Sequence, residues 1–462
     1  WIKNNSPAVG QFYAIAVDQQ KPYNVYGGLQ DNGVWYGPSS YVASKRWNSS
    51  GSYPYKGIGG GDGMQVQVDK RNNDIVYSGS QFGYYYRLNT RTGKRVSIHP
   101  KHELGDSPYR YNWQTPILLS PHNQDILYMG ANKLLRSMDQ GASFDVISKD
   151  LTTGGKKGNV PYGTLATIDE SPFKFGMIYT GSDDGYVYLT ENGGSTWNRI
   201  SDELPQGLWV SRVIASQNEK DRVYVTLNGY RNDDFKPYVY VSENKGATWK
   251  SLNSNLTDSP VNVIREDPVD ANVLYLGTDD SVWVSFDKGG NWQLFEKELP
   301  KVAVHDLAVQ EEAKDLVVGT HGRSIYKADI SGIQQYNKIK GDAMTLFDIA
   351  PVRHSARWGT ARSQWSDPME TKRTLNYYTA NSGTFTVKVL GDDNAVLEQF
   401  EVKGDAGFNE FTYAMQVSEK SVKNYFKKKD ITVRKAANGA YYLPKGTYTV
   451  SIGGATKKLE IK

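Results

Sequence analysis

Cysteine is absent from the 462 residues. Its absence excludes a disulfide framework, Cys-ligated zinc or iron–sulfur sites, and a thiol nucleophile. No apolar run approaches the roughly 18 residues that a membrane-spanning helix needs, so none is expected. Neither sign of charge dominates: 54 Lys+Arg face 50 Asp+Glu, a net of +4. The basic residues form no interleaved patch, so nucleic acid is not an expected partner. No signal-peptide pattern is present, and the chain opens on Trp1 rather than Met. It therefore reads as mature, processed or cut from something longer.

Glycine and aromatic residues are plentiful, with 45 Gly, 32 Tyr, 14 Phe and 11 Trp. Aromatics at 12% beside 23% charged residues supply a packed core and argue against disorder. At about 150 residues per domain, the length fits three ordinary domains or one large β domain with a small companion. Charge is uneven along the chain. From Gln335 onward 20 Lys+Arg stand against 13 Asp+Glu, leaving 34 against 37 before it.

One phrase recurs seven times: alternating apolar residues, a Gly, a short polar loop, then an aromatic strand. It begins as NVYGGLQDNGVWYG at Asn24 and DIVYSGSQFGYYYR at Asp74, and ends as LVVGTHGRSIYK at Leu316. The anchor positions Gly28, Gly79, Gly130, Gly181, Thr226, Gly277 and Gly319 lie 42 to 51 residues apart. That spacing suits one four-stranded blade, and seven copies close a ring. Four copies also carry S/T-x-D/N-x-G-x-x-W/F, at Ser137, Thr190, Ser242 and Ser285. This pattern resembles the Asp box of BNR-type propellers. Its logic is a tight hairpin in which the Asp or Asn caps turn amides, Gly takes a positive φ and the aromatic anchors the turn. Such acids are structural rather than catalytic.

The expected fold is all-β: a seven-bladed β-propeller over residues 1–332, a linker over 333–345 and a small immunoglobulin-like β-sandwich over 346–462. The sandwich rests on period-two alternation in stretches such as Thr384–Val389 and Thr447–Ile452. Within it, VSEKSVKNYFKKKD predicts a short basic helix with Val417, Val422 and Phe426 inward. Trp1 is expected in the outer strand of the last blade, whose repeat lacks a fourth strand.

Let the strands of a blade be A to D from the channel outward. Antiparallel order puts the B–C and D–A loops on one face and the Asp boxes, as C–D hairpins, on the other. A ligand-binding face is therefore expected from Trp47, Tyr55, Tyr109, Tyr111, Trp113 and Trp209 in D–A loops, with Asp183, Asp184, Asp279, Asp280, His321 and Arg323 in B–C loops. Aromatic faces beside carboxylates suit sugar rings and extended peptides equally. The plainer reading makes the paired acids turn formers and has His321 and Arg323 bonding loop carbonyls. Asp62 stands among Gly59, Gly60, Gly61 and Gly63, a run that implies close backbone approach to a ligand or to a neighbouring strand. No phosphate-loop, metal or cofactor motif is present.

QFYAIAVDQQKPYNVYGGLQDNG, GGGDGMQVQVD, GTHGRSIY and LPKGTYTV resemble a family of secreted or cell-envelope bacterial proteins with sortilin-type, BNR-repeat propellers, often labelled glycosyl hydrolases. The resemblance implies an upstream propeller and extracytoplasmic, cell-surface placement. A more distant likeness is to two-propeller xyloglucanases, which use an inverting carboxylate pair, one acid per propeller. It makes Asp62 a candidate acid or base, with Asp31 as a fallback partner. Two functions follow as expectations. The favoured one is a binding module for a polypeptide or polysaccharide, working beside an upstream propeller or other envelope proteins. The alternative is half of a two-propeller glycoside hydrolase.

Overall fold

The computed structural model describes residues 9–41, 53–158, 160–295 and 297–462. The chain divides into two compact units, one ending at Ile330 and one spanning Ser331–Lys462. No helix among the described residues is long and apolar enough to cross a membrane.

In the first unit consecutive strands pair antiparallel into separate sheets. Among the described residues six sheets have four strands, and the last, from Val304–Gln310 to Ile325–Asp329, has three. Their A strands are Phe12–Val17, Val66–Val68, Ile117–Leu119, Leu165–Glu170, Trp209–Ala215, Val261–Glu266 and Val304–Gln310. Each A strand touches the next, and the last touches the first, so the A strands surround a central channel.

The repeated phrase explains how the sheets pack. Its tyrosines Tyr26, Tyr77, Tyr128, Tyr179, Tyr224 and Tyr275 are all fully buried. The Tyr128 hydroxyl donates to Glu170 (3.0 Å) and that of Tyr224 to Glu266 (3.1 Å), each reaching into the following sheet. The anchor glycines make the close approach possible. A Cβ at Gly277 would sit 2.7 Å from both Val263 Cγ1 and Val304 Cγ1, between its own A strand and the next. At Gly319 it would meet Ile15 Cγ2 at 2.7 Å, where the last sheet packs on the first. That junction is also held by Ile15 N–H donating to Asp306 Oδ2 (3.1 Å) and by the Tyr23 hydroxyl donating to Asp315 (2.8 Å).

The four S/T-x-D/N-x-G turns share one hydrogen-bond scheme. In the last, Ser285 Oγ donates to Asp287 Oδ1, Gly289 N–H donates to Ser285 Oγ and Asn291 N–H to Asp287 Oδ1. Gly289 has φ +83°, and the residue before it, Lys288, is also left-handed at +61°. Trp292 is buried and its indole N–H donates to Leu252 O (2.7 Å), tying the turn to the preceding sheet. Trp197 and Trp249 make the same bond to Ile147 and Ile200.

The second unit has a three-stranded and a four-stranded antiparallel sheet. Leu375, Tyr377 and Phe411 of one join Val387, Val450 and Leu459 of the other in a single apolar core. Glu419–Ser421, Val422–Phe426 and Lys427–Lys429 form a short helical segment capped by Ser418, whose Oγ accepts from Ser421 N–H. Val417 and Phe426 are buried in the core and Val422 packs against it.

Candidate functional site

Loops at the two ends of the sheets segregate as antiparallel order requires. Leu151 N–H, in a D–A loop, donates to Asn132 O in a B–C loop, whereas Gln140 N–H, in a C–D turn, donates to Asp125 O in an A–B loop. The first set surrounds the channel at the N-terminal ends of the A strands.

At its centre His305 and His321 stack with ring centroids 4.3 Å apart and an interplanar angle of 14°. Tyr13 leans on His321 at 5.8 Å. Burial and the neighbouring His321, Arg212 and Arg231 push His305 down to about 3, so its imidazole is neutral at pH 7. His321 is lowered too, chiefly by burial, and its Nδ1 is buried without a partner among the described residues. Tyr13 is raised by burial and by the charges of Asp62 and Asp31, while Trp113 hydrogen-bonds its phenol. Trp113 in turn meets Phe82 edge-on at 5.0 Å. Across the mouth, the Arg231 guanidinium lies 4.1 Å over the Trp209 ring, a cation–π pair. Asn228 Nδ2 donates to Asn262 Oδ1 (2.9 Å), and Asn262 Nδ2 donates to Asp279 Oδ1 (2.8 Å). The result is a half-buried basin of aromatic rings, neutral imidazoles and amides. It can stack on flat apolar faces and exchange hydrogen bonds with hydroxyls or amides.

The residues expected on this face divide. Trp113, Trp209, Asp279 and His321 join the basin. Asp280 closes its own turn by accepting from Thr278 Oγ1 (2.8 Å), and Arg323 is exposed on the turn before Ile325–Asp329. Tyr109 is half-buried beside Tyr111. Tyr111 itself is 7% exposed and its hydroxyl donates to Pro100 O (2.9 Å), which makes it a packing residue rather than a ligand contact. Asp183 and Asp184 are likewise buried, against expectation. Asp183 accepts from Gly163 N–H, Thr164 N–H and Thr164 Oγ1. Asp184 accepts from Ser182 Oγ and from Thr153 N–H and Oγ1. Both acids turn inward to hold D–A loops.

Tyr55 needs a further correction. The fourth strand of the first sheet is Lys56–Gly59, so Tyr55 ends a C–D connection, at the end of the sheet opposite the basin. Its ring packs on Gly37. Trp47 and Trp1 lie outside the described residues.

Asp62 is 7% exposed, and its Oδ1 accepts the backbone N–H of Asp31 at 2.6 Å. Gly63 and Gly33 bring two backbones together, since a Cβ at Gly63 would lie 2.1 Å from Gly33 O and one at Gly33 2.1 Å from Gly59 O, whereas Gly60 meets nothing within 4 Å among the described residues. Asp62 therefore fastens the Asp31 turn, and the Gly-rich run is the close approach of two backbones. Asp31 itself is exposed at the tip, with φ +59°.

Residues outside the expected set also contribute. Tyr13 and His305 come from A strands and Arg231 from the Tyr230–Asn232 turn. An aromatic or imidazole within the first two positions of an A strand was the available signal, because those positions border the channel mouth.

The family model for sortilin (neurotensin receptor 3; Sortilin-Vps10) matches residues 237–450. An oligoxyloglucan-reducing end-specific xyloglucanase of Emericella nidulans is 23% identical over 224 residues, 46% of this chain and 26% of that protein. A xyloglucanase of Hypocrea jecorina is 21% identical over 318 residues, 64% of this chain and 34% of that one. The chain thus spans about a quarter to a third of the length of these curated relatives. Among solved structures, the GH74 xyloglucanase of Xanthomonas campestris aligns with TM-score 0.52 at 15% identity, over 70% of this chain and 52% of that one. The GH74 enzyme of Niastella koreensis aligns with TM-score 0.50 at 13% identity, over 97% and 72%. The chain is therefore an all-β protein with a β-propeller, similar in sequence to the sortilin family model and, at low identity, to xyloglucanases.

Proposed function

We propose that this chain is an extracytoplasmic binding module whose B–C and D–A loop face holds a polysaccharide. In this reading the first unit is a seven-bladed propeller with Asp-box turns, spanning 1–332. The segment 333–345 links it to an immunoglobulin-like sandwich over 346–462. The observation that carries the reading is the basin at the channel mouth: Tyr13, Trp113, Trp209 with Arg231, His305 and His321 converge there. Aromatic rings stack on the apolar faces of sugars, and neutral imidazoles and amides match their hydroxyls. The similarity to xyloglucanases favours a glycan over a polypeptide, and a β-glucan backbone is the first class to try. The test is affinity electrophoresis of the chain in gels containing xyloglucan, other plant glucans or microbial polysaccharides. Retardation by one class is expected, and unchanged mobility in all of them, with binding of an extended peptide instead, would replace this reading.

The second reading, half of a two-propeller inverting hydrolase, is favoured by the GH74 likeness. Inversion needs two carboxyls about 6.5–9.5 Å apart. Because Asp62 is buried and already accepts the Asp31 amide, it serves this role poorly. The longest available form of the protein should therefore release the same product with Asp62→Asn as without it, provided that both are equally folded. Release abolished by that change, with the fold intact, would restore the hydrolase reading.

A further inference from the structure

The channel behind the basin is a separate feature, a cavity of about 380 Å³ walled by the A strands. Lys70 and Glu311 line it where the A strands end, and Glu266, also in the wall, is paired with Arg222. Its middle tier consists of Asp169, Arg212, Arg265 and Asp306, from four different sheets.

Hydrogen bonds in that tier are unevenly shared. Each guanidinium nitrogen of Arg265 has a partner: Nε donates to Leu307 O (2.8 Å), Nη1 to Ile264 O (3.1 Å) and Nη2 to Asp306 Oδ1 (2.8 Å). Arg212 Nη2 must share that same oxygen, at 3.1 Å. Asp306 Oδ1 also accepts Leu307 N–H, and its Oδ2 is taken by Ile15 N–H. One carboxylate therefore serves two guanidinium groups. Asp169 offers little relief, since one of its oxygens accepts Ala215 N–H (2.7 Å) and burial pushes its carboxyl up to about 7. The Arg212 side chain is 14% exposed and its Nε–H is buried with no acceptor among the described residues. A buried, charged donor without a partner is costly.

We propose that the channel holds a small monovalent anion, of the halide or monocarboxylate class, against the Arg212 guanidinium. The anion gives Arg212 a counter-charge of its own, so that Asp306 is left to Arg265. It does not depend on the polysaccharide reading, because it rests on how the channel-wall charges are paired, although Arg212 Nη2 also donates to His305 O (3.5 Å) beside the basin.

The test uses the whole chain. Thermal unfolding at pH 6.5 and fixed ionic strength, with the bulky sulfonate MES replaced stepwise by bromide or formate, should show saturable stabilisation. In Arg212→Gln the apparent affinity should fall at least tenfold, whereas Lys174→Gln, on an exposed A–B loop, should leave it unchanged. Should Arg212→Gln fail to fold, wild-type crystals soaked in bromide carry the test. An anomalous peak in the channel beside Arg212 supports the proposal. Displacement of that peak by formate identifies the carboxylate class, and its persistence identifies the halide class. Bromide confined to the outer surface, or an anion response identical in wild type and a folded Arg212→Gln, overturns it.

Discussion

His305 and Asp169 are both pushed toward neutrality by burial, and they bend stability with pH in opposite directions. An imidazole lowered to about 3 when folded takes up protons near its ordinary value of about 6.5 when unfolded. The stability tied to His305 is therefore present above about pH 6.5 and lost as pH falls toward 3. His305→Gln should gain on wild type, measured by urea midpoint, as pH drops from 6.5 to 4. Asp169 works the other way, since its stability is complete below about pH 4 and lost as pH rises through its folded value of about 7. Asp169→Asn should gain on wild type over that rise, by at most about 4 kcal/mol. Trp292 is a different case, a buried ring with its indole N–H paired. Trp292→Ala should cost about 3–5 kcal/mol in denaturant unfolding, with binding at the basin preserved in the folded fraction.

At the level of strands and turns, glycine decides how closely the sheets pack. Gly277→Ala forces a methyl to within 2.7 Å of two valines and should cost roughly 1–3 kcal/mol in urea unfolding. Gly60→Ala, where nothing lies within 4 Å, should stay within about 0.5 kcal/mol of wild type. The same contrast explains what was legible beforehand. Buried B-strand tyrosines and anchor glycines recur because every sheet packs on its neighbour in the same way, and repetition shows in a sequence. Outer strands such as Asp145–Val146 and Asn198–Arg199 are two residues long and exposed, too short for any alternation. Lys56–Gly59 is nearly as bare, with two glycines in four residues. A strand so bare leaves no break in the sequence between the C–D connection that holds Tyr55 and the D–A loop that follows. Turn chemistry was readable for Asp183 and Asp184, but their inward direction depends on Gly163, Thr164 and Thr153, residues 19 to 31 positions earlier. The channel tier was hidden because Arg212, Arg265 and Asp306 meet only when strands from separate repeats are brought together.

For the molecule as a whole, each unit has an apolar interior of its own. Residues 331–462 expressed alone should fold, giving dispersed amide resonances and a cooperative melt. The larger unit couples a rigid ring of sheets to one loop-bearing end, and the account rests on that end being the binding surface. The direct measurement is calorimetric titration of the polysaccharide that retards the chain against two variants. Trp209→Ala removes an aromatic face of the basin, and Phe173→Ala removes an exposed ring from an A–B loop at the opposite end. Affinity should be at least tenfold weaker for Trp209→Ala and unchanged for Phe173→Ala. Equal affinity in wild type and Trp209→Ala, with loss in Phe173→Ala, would contradict that expectation.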